Sequence, residues 1–383
     1  MIIVGSGPAG ALMGYDLSQY GLKVLLVEKE SLPRYKACGG GLTRRTLDAL
    51  PFDVSPVIED YTYTARMLYR NRLLYVKTHD KPIVGMVMRD DFDYFLIEQA
   101  MAKGLVVHDD TAFESVSGRA GELLIKTSKG SYKAKVVAGA DGVNSSVAKA
   151  LDLKIKHDVM MAIEGEVCPE DMGMLEKFRN SIDLDFGVIP GGYGWVFPKK
   201  DHLSIGVGSS IRGLRDWKGY FRSYLELKGI IPESMKYPVR GRLIPINPHK
   251  GNILSNERGL VAGDAAGFTD PMTGEGIFYA VRQAAIASQV IKDVFLSGSS
   301  VAEYTGLVKR EFMNDLIWAK RMAHVLYRYP AISRRLLFRC GEALGENQTA
   351  VILSQQTYSD VFRKIAILML NPIRLLSLLS QND

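Results

Sequence analysis

Four residues near the start of the chain, Gly5, Gly7, Gly10 and Glu28, have the types and spacing to hold a dinucleotide. The β-branched run Ile2-Ile3-Val4 leads into Gly5-x-Gly7-x-x-Gly10, an apolar helical pattern follows to Tyr20, and a second strand pattern from Lys23 to Val27 ends at Glu28. Gly5 permits the tight turn, Gly7 lets backbone approach a pyrophosphate, and Gly10 lets the helix pack closely on the sheet. The helix N-terminus offers unpaired N–H groups and the positive end of its dipole to phosphate. Glu28, eighteen residues past Gly10, suits a carboxylate that accepts hydrogen bonds from ribose hydroxyls.

Other residues with chemical potential follow. Pro33-Arg34-Tyr35-Lys36-Ala37-Cys38-Gly39-Gly40-Gly41 runs a basic stretch into a cysteine and three glycines. Three glycines in a row imply either backbone pressed against something large and flat or a flexible surface loop. Cys38 by itself is more often a small buried apolar residue than a reactive one. Arg89 opens a helix whose first turn holds Asp90 and Asp91, and it either reaches a phosphate or ribose or caps that helix. Tyr193, Trp195 and Phe197 alternate within Tyr193-Gly194-Trp195-Val196-Phe197-Pro198, so three rings share one strand face, as sheet core or as a wall of an apolar channel. Gly206 and Gly208 allow close approach to the next strand. Asp264 ends a strand where an acid suits a sugar-like hydroxyl, and Gly276-Ile277 starts a long helix whose N-terminus favours an electron-rich ring edge.

The elements that must position these residues fall into three groups. An α/β dinucleotide-binding unit is expected over 1–56, 86–155 and 250–298. An antiparallel β unit is expected over 57–85 and 156–249, beginning with a hairpin that turns near Arg70-Asn71. A helical region is expected over 299–383, with Phe362, Ile365, Leu368 and Met369 opposite Arg363 and Lys364 in an amphipathic end that packs on the core or rests on a membrane surface. The stretch from Lys103 to Ala138 reads as a four-strand meander.

Composition narrows the function classes. With 383 residues, 47% hydrophobic and 23% charged, the chain is globular and long enough for more than one compact unit. The net charge of +6 is spread along the sequence without a nucleic-acid reader motif, which makes an anionic lipid surface the more interesting partner. Three widely spaced cysteines, Cys38, Cys168 and Cys340, lack metal spacing and read as reduced thiols of a cytoplasmic protein. The apolar run Ile365 to Leu370 is too short to span a bilayer, so a cytoplasmic protein, soluble or peripheral on the membrane, is expected.

Together these segments resemble the flavoprotein monooxygenase-like superfamily, and within it the geranylgeranyl reductase family. The superfamily resemblance rests on the glycine fingerprint with Glu28, on Arg89-x-x-Phe92-Asp93, on Ala140-Asp141-Gly142 and on Gly263-Asp264-Ala265. The family resemblance rests on Pro33-Arg34-x-Lys36-x-Cys38-Gly39-Gly40-Gly41, on Tyr193-x-Trp195-x-Phe197-Pro198 with Gly206-x-Gly208, and on Gly263-Asp264-Ala265-Ala266-Gly267 with Gly274-Glu275-Gly276. It implies FAD, with Ala9 at the pyrophosphate, Glu28 at the adenosine ribose, and Ala112 offering backbone to adenine. It also implies Arg89 and Asp264 near the ribityl-phosphate part, Gly276 and Ile277 at the isoalloxazine, and Cys38, Gly39 and Gly41 along the flavin. Ala148-Lys149 stands where superfamily members commonly carry an arginine. The implied activity is saturation of isolated C=C bonds in the prenyl chain of a lipid or lipid precursor, with Cys38 or ordered water as proton source. Tyr193, Trp195, Phe197, Gly206 and Gly208 would face that chain, and NAD(P)H or a ferredoxin would supply electrons. A related hydroxylase, a quinone-linked dehydrogenase and a non-enzymatic flavin-bound lipid carrier are the competing readings.

Overall fold

A computed structural model describes the backbone of residues 1–369 and the side chains of residues 1–363. Lys364, Ile365, Leu368 and Met369 of the expected amphipathic end lie outside the described side chains. Among the described residues, no helix is long and apolar enough to cross a membrane.

Strand Ile2–Val4 is the centre of a six-stranded sheet in the order Ser255–Asn256, Gly259–Val261, Val137–Gly139, Ile2–Val4, Leu25–Val27, Val106–His108. All pairs are parallel except the short edge strand, with Ile2 opposite both Val137 and Leu25. These strands are short and mostly buried on both faces, as parallel strands between helices must be. Helices Pro8–Gln19, Arg89–Met101 and Ile277–Ser297 cover it through Leu12, Leu96, Ala284 and Ile291. The chain leaves Ile2–Val4 for a neighbour on one side and later fills the other, so the carboxyl end of this strand opens a crevice where ligands bind.

The expected four-strand meander is corrected. Only Phe113–Arg119, Glu122–Thr127 and Gly130–Ala134 form an antiparallel three-stranded sheet, while Val106–His108 and Val137–Gly139 belong to the parallel sheet. Short apolar runs such as Val136-Val137-Ala138 fit either sheet, and periodicity alone does not choose.

The second large sheet runs Pro232–Met235, Asp158–Pro169, Leu203–Ser209, Gly192–Pro198, Ser181–Phe186, Thr64–Tyr69, Arg72–Thr78, with Arg240–Ile246 also beside Asp158–Pro169. It is antiparallel apart from one parallel pair, Ser181–Phe186 with Thr64–Tyr69. The hairpin turns at Arg70 and Asn71, both in the left-handed region at φ 49° and 64°, as a two-residue turn matched to strand twist requires. One face packs on helices Met172–Phe178 and Trp217–Lys228 through Val196, Ile205, Phe221 and Tyr224. The other faces a cavity and the C-terminal helices Glu303–Arg328, Pro330–Ile352 and Tyr358–Met369. A β-carbon at Gly345 would stand 2.3 Å from the Tyr75 ring and one at Gly341 3.2 Å from Leu74, so two glycines bring helix Pro330–Ile352 down onto the hairpin.

A third small sheet, Gly41–Thr43, Val84–Met86 and Asp60–Thr62, joins the two large ones and carries the end of the glycine loop.

Candidate functional site

The glycine fingerprint folds as its spacing predicts, each glycine for its own reason. Gly5 has φ +102°, and a β-carbon there would meet the Ala140 carbonyl oxygen at 2.4 Å; one at Gly10 would meet the Gly5 carbonyl oxygen at 2.0 Å. Gly7 is different: nothing lies within 4 Å of its missing side chain. It caps helix Pro8–Gln19 without any side-chain hydrogen bond, and no acid stands in the first turn. The positive end of the helix is therefore uncompensated, with Gly7, Pro8 and Ala9 on the wall of a large cavity.

Glu28, at the tip of the next strand, is buried beside it. Ser6 N–H and Oγ donate to Glu28 Oε2 at 2.8 and 2.7 Å, and Glu30 N–H donates to Oε1 at 3.1 Å. Burial pushes this carboxyl up, but Arg34, 3.7 Å away, and the Ser6 hydrogen bonds outweigh it and hold it below the usual range. Arg34 also lies 3.4 Å from Asp93, which takes two parallel 2.9 Å hydrogen bonds from Arg89. Arg89 is thus a buried ion-pair partner of Asp93 on the cavity wall that also touches Cys38, not an exposed cap. Ala112 lines the same end, yet its N–H donates to Ser128 Oγ and its carbonyl accepts from Ser128 N–H, leaving one carbonyl lone pair for a ligand. Asp141 accepts from Ser145 Oγ, Ser146 N–H and Val147 N–H at the start of the short helix Ser146–Ala150, whose N-cap Ser145 accepts from Ala148 N–H.

The glycine loop is a pressed backbone, not a mobile one. Lys199, fully buried, donates to the carbonyls of Gly39 at 2.9 Å and Val87 at 2.6 Å. A β-carbon at Gly39 would stand 2.9 Å from Phe197, and Gly40, at φ +68°, lies against the Val87 carbonyl. Just before the glycines, Lys36 approaches Asp264 at 3.8 Å, and both line the cavity. Burial and the nearby Arg89 push the Lys36 ammonium down. Gly276 caps helix Ile277–Ser297, again with no side-chain cap and no acid in the first turn, so a second helix N-terminus opens on the same cavity.

Beyond Cys38 the wall turns apolar. Tyr193, Trp195 and Phe197 stand in a row with ring centroids 6.1 and 6.4 Å apart, and all three line the cavity. Opposite them stand Met322, Leu326, Leu337, Leu344 and Ile352 from the C-terminal helices, which the sequence reading had not assigned to the site. Gly206 and Gly208 do not line it: their missing side chains make room for the Trp195 indole, 2.1 Å from a β-carbon at Gly206, and for Met160 at Gly208. They shape the wall from behind.

Two polar groups were also missed. Arg45 pairs with Glu275 and reaches Asp270 at 3.5 Å, Thr43 donates to Glu275, and Tyr358 O–H donates to Asp270 at 2.7 Å. Burial raises the Asp270 carboxyl to about 6, against the pull of Arg45 and Tyr358. These residues are up to 315 positions apart, 43 to 358, and no local pattern joins them. Glu164 and Glu166, two acids inside the mostly apolar run Val159 to Val167, could have been flagged by that conflict alone.

The cavity, about 670 Å³, falls in the range of about 300–1,000 Å³ usual for ligand sites. Its residues fit FAD. The open face of Gly7, two uncapped helix N-termini, and the buried Thr269 Oγ1, which has no hydrogen-bond partner, match a ligand with a pyrophosphate and a flat polar ring.

Comparison with known proteins agrees. Residues 1–174 match the family described as FAD binding domain. The digeranylgeranylglycerophospholipid reductase of Methanococcus vannielii is 30% identical over 323 residues, covering 76% of both chains. The geranylgeranyl diphosphate reductase of Synechocystis is 27% identical, over 95% of this chain and 92% of its own. The crystal structure of a geranylgeranyl bacteriochlorophyll reductase-like protein from Thermoplasma acidophilum superposes with a TM-score of 0.78 at 22% identity, over 95% of this chain and 98% of that one, and shows the same fold. A dinucleotide crevice, a pinned glycine loop and a partly apolar cavity thus meet in an FAD-dependent oxidoreductase, and the chain belongs to the geranylgeranyl reductase family.

Proposed function

We propose that this protein saturates C=C bonds in the geranylgeranyl chain of a lipid or lipid precursor. The observation that supports it best is the continuity of the cavity. One and the same cavity is lined by Gly7, by Cys38 and Trp195, and by Phe186, Leu337 and Ile352. A hydroxylase acting on a single ring needs a compact polar pocket, whereas a C20 prenyl chain needs length and dryness.

When bound, reduced FAD supplies the hydride. The protein's own residues supply the rest. Tyr193, Trp195 and Phe197 give the chain an apolar surface and exclude water. Burying about 20 prenyl carbons is worth on the order of 16 kcal/mol gross, at ~0.8 per carbon, before the cost of association. Lys199 holds the Gly39 carbonyl so that Cys38 stays at the junction of polar and apolar ends, where it serves as proton donor. Arg240 and Arg242, exposed on one strand face at the cavity's edge, match a phosphate or other anionic headgroup.

Incubating dithionite-reduced protein with geranylgeranylated lipids and weighing the products tests this reading. Products heavier by one H₂ per saturated bond are expected. Unshifted masses with both diphosphate and glycerophospholipid substrates would overturn it.

A further inference from the structure

A row of buried titratable side chains lies between the cavity and the surface, and nothing in the proposed mechanism uses it. Glu164 sits on the cavity wall and is 4% exposed. Tyr35 O–H donates to its Oε1 at 3.4 Å, and the Cys38 backbone N–H also bonds it. Two residues on, Glu166 points to the same face of the strand, 1% exposed. His202, fully buried, has Nε2 3.1 Å from Glu166 Oε2, close but not aligned for a hydrogen bond, and Nδ1 in a 2.6 Å hydrogen bond with Asp201 Oδ1. Asp201 reaches solvent with a side chain 62% exposed, where Lys236 pairs with it at 3.2 Å and Glu59 lies nearby.

Other charges face Glu164 from each packed element. Lys199 approaches from the turn after Gly192–Pro198, Tyr35 and Cys38 from the glycine loop, and Arg240 is its cross-strand partner, with its guanidinium 5.7 Å over the Tyr35 ring. The neighbour on the other side, Gly206, has no side chain to offer. Burial and the charge of Glu166 push the Glu164 carboxyl up to about 8, against Cys38, Lys199 and Tyr35. Two carboxyls and an imidazole buried together are a poor way to stabilise a sheet. An imidazole with a carboxylate at each nitrogen, however, can accept a proton on one side and release it on the other.

We propose that Glu164 is the proton store for the reduction, a neutral acid that discharges into the cavity beside Cys38 and is recharged from solvent through Asp201, His202 and Glu166. This rests on the function proposed above. Each saturated bond takes one hydride from the reduced cofactor and one proton. Cys38 gives its proton to the second alkene carbon and takes one from Glu164, which is left as carboxylate and regains its proton from water, so the protein's charge is restored each turn. Glu164 thereby acts through Cys38 as a positioning and supply residue.

Infrared titration of the FAD-loaded protein without substrate reads the store directly. The carbonyl stretch of a protonated carboxylic acid should persist at pH 7, vanish through about pH 8, and be missing in E164Q. In H202Q the band should remain but exchange with D₂O more slowly. With substrate, E164Q should slow flavin reoxidation about 10²-fold and lose the alkaline limb near pH 8, E164D should restore both, and FAD content should not change. A band that survives in E164Q, or exchange unaltered in H202Q, would overturn the proposal. Lipid reduction with an unchanged alkaline limb in E164Q would overturn the store but not the function. A wild-type band with no lipid reduced would overturn the function.

Discussion

Gly7→Ala separates the cofactor site from the fold around it. Gly7 has φ −69° and ψ 176°, which alanine adopts without strain, and no atom lies within 4 Å of the added methyl. The apoprotein should therefore keep its stability to within about 1 kcal/mol, since the alanine gain of ~0.4–1 kcal/mol in the unfolded chain roughly offsets the poorer helix cap. The methyl would instead occupy the space through which a pyrophosphate reaches the first N–H groups of helix Pro8–Gln19. Losing two hydrogen bonds to a charged group, each worth about 1.5–3 kcal/mol, amounts to ~3–6 kcal/mol. At ~1.4 kcal/mol per decade this weakens FAD binding by roughly 10²–10⁴-fold. Gly10→Ala is the contrast. Its methyl meets the Gly5 carbonyl oxygen at 2.0 Å, so overpacking of about 1–3 kcal/mol falls on the fold itself. Denaturant unfolding of both apoproteins, paired with flavin-fluorescence titration, makes the test. If Gly7→Ala binds FAD like the wild type, the crevice at Gly7 does not hold the pyrophosphate, and the argument from its empty face is wrong.

Trp195→Ala should lower lipid reduction while leaving FAD content intact, because the indole faces the apolar half of the cavity; loss of flavin on purification would show the residue to be misplaced. Glu28→Gln should narrow the pH dependence of stability. The carboxyl is held low in the folded chain, so its contribution is full above about pH 4.3 and is lost as the pH falls through the native value. The gap between wild type and mutant in urea should close on acidification, and a widening gap would refute the assignment. Tyr358→Phe removes the 2.7 Å hydrogen bond to Asp270 and should reduce stability by about 1.5–3 kcal/mol; an unchanged urea midpoint would mean that the C-terminal helix is held elsewhere.

Much of the site was legible because its parts obey local rules. The fingerprint, Glu28 and the Arg70-Asn71 turn are set by backbone needs within a few residues, and the sequence writes such needs as glycine spacing and strand ends. The row of Tyr193, Trp195 and Phe197 was legible through the two-residue period of a strand. What stayed hidden was assignment across distance. Gly206 and Gly208 were read as facing a ligand, but the approaching groups are Trp195 and Met160. A glycine reports close approach without saying by what. The strands Val106–His108 and Val137–Gly139 were placed in the wrong sheet because three residues are too few to show the alternation that tells sheets apart.

The largest omission carries the most structural consequence. The apolar chamber has two walls, and only the sheet wall was anticipated. The opposite wall comes from helices that begin more than a hundred residues later, and their inward side chains, Leu326, Leu337, Leu344 and Ile352, look in sequence like ordinary helix core. Their position is fixed by glycine as well. Gly341 and Gly345, one turn apart, let helix Pro330–Ile352 settle on Leu74 and Tyr75, while Tyr358 ties the next helix to Asp270 beside Glu275 and the start of Ile277–Ser297. The chamber's width is therefore set by a helix–hairpin contact, and its polar end is tied to the second helix N-terminus through Asp270 and Glu275. A side chain larger than hydrogen at 345 must push the helix off the hairpin, widening the apolar end without touching a residue of the glycine loop. Shape at the two ends of this cavity is thus governed by separate contacts, which lets one scaffold keep its cofactor site while its apolar chamber varies.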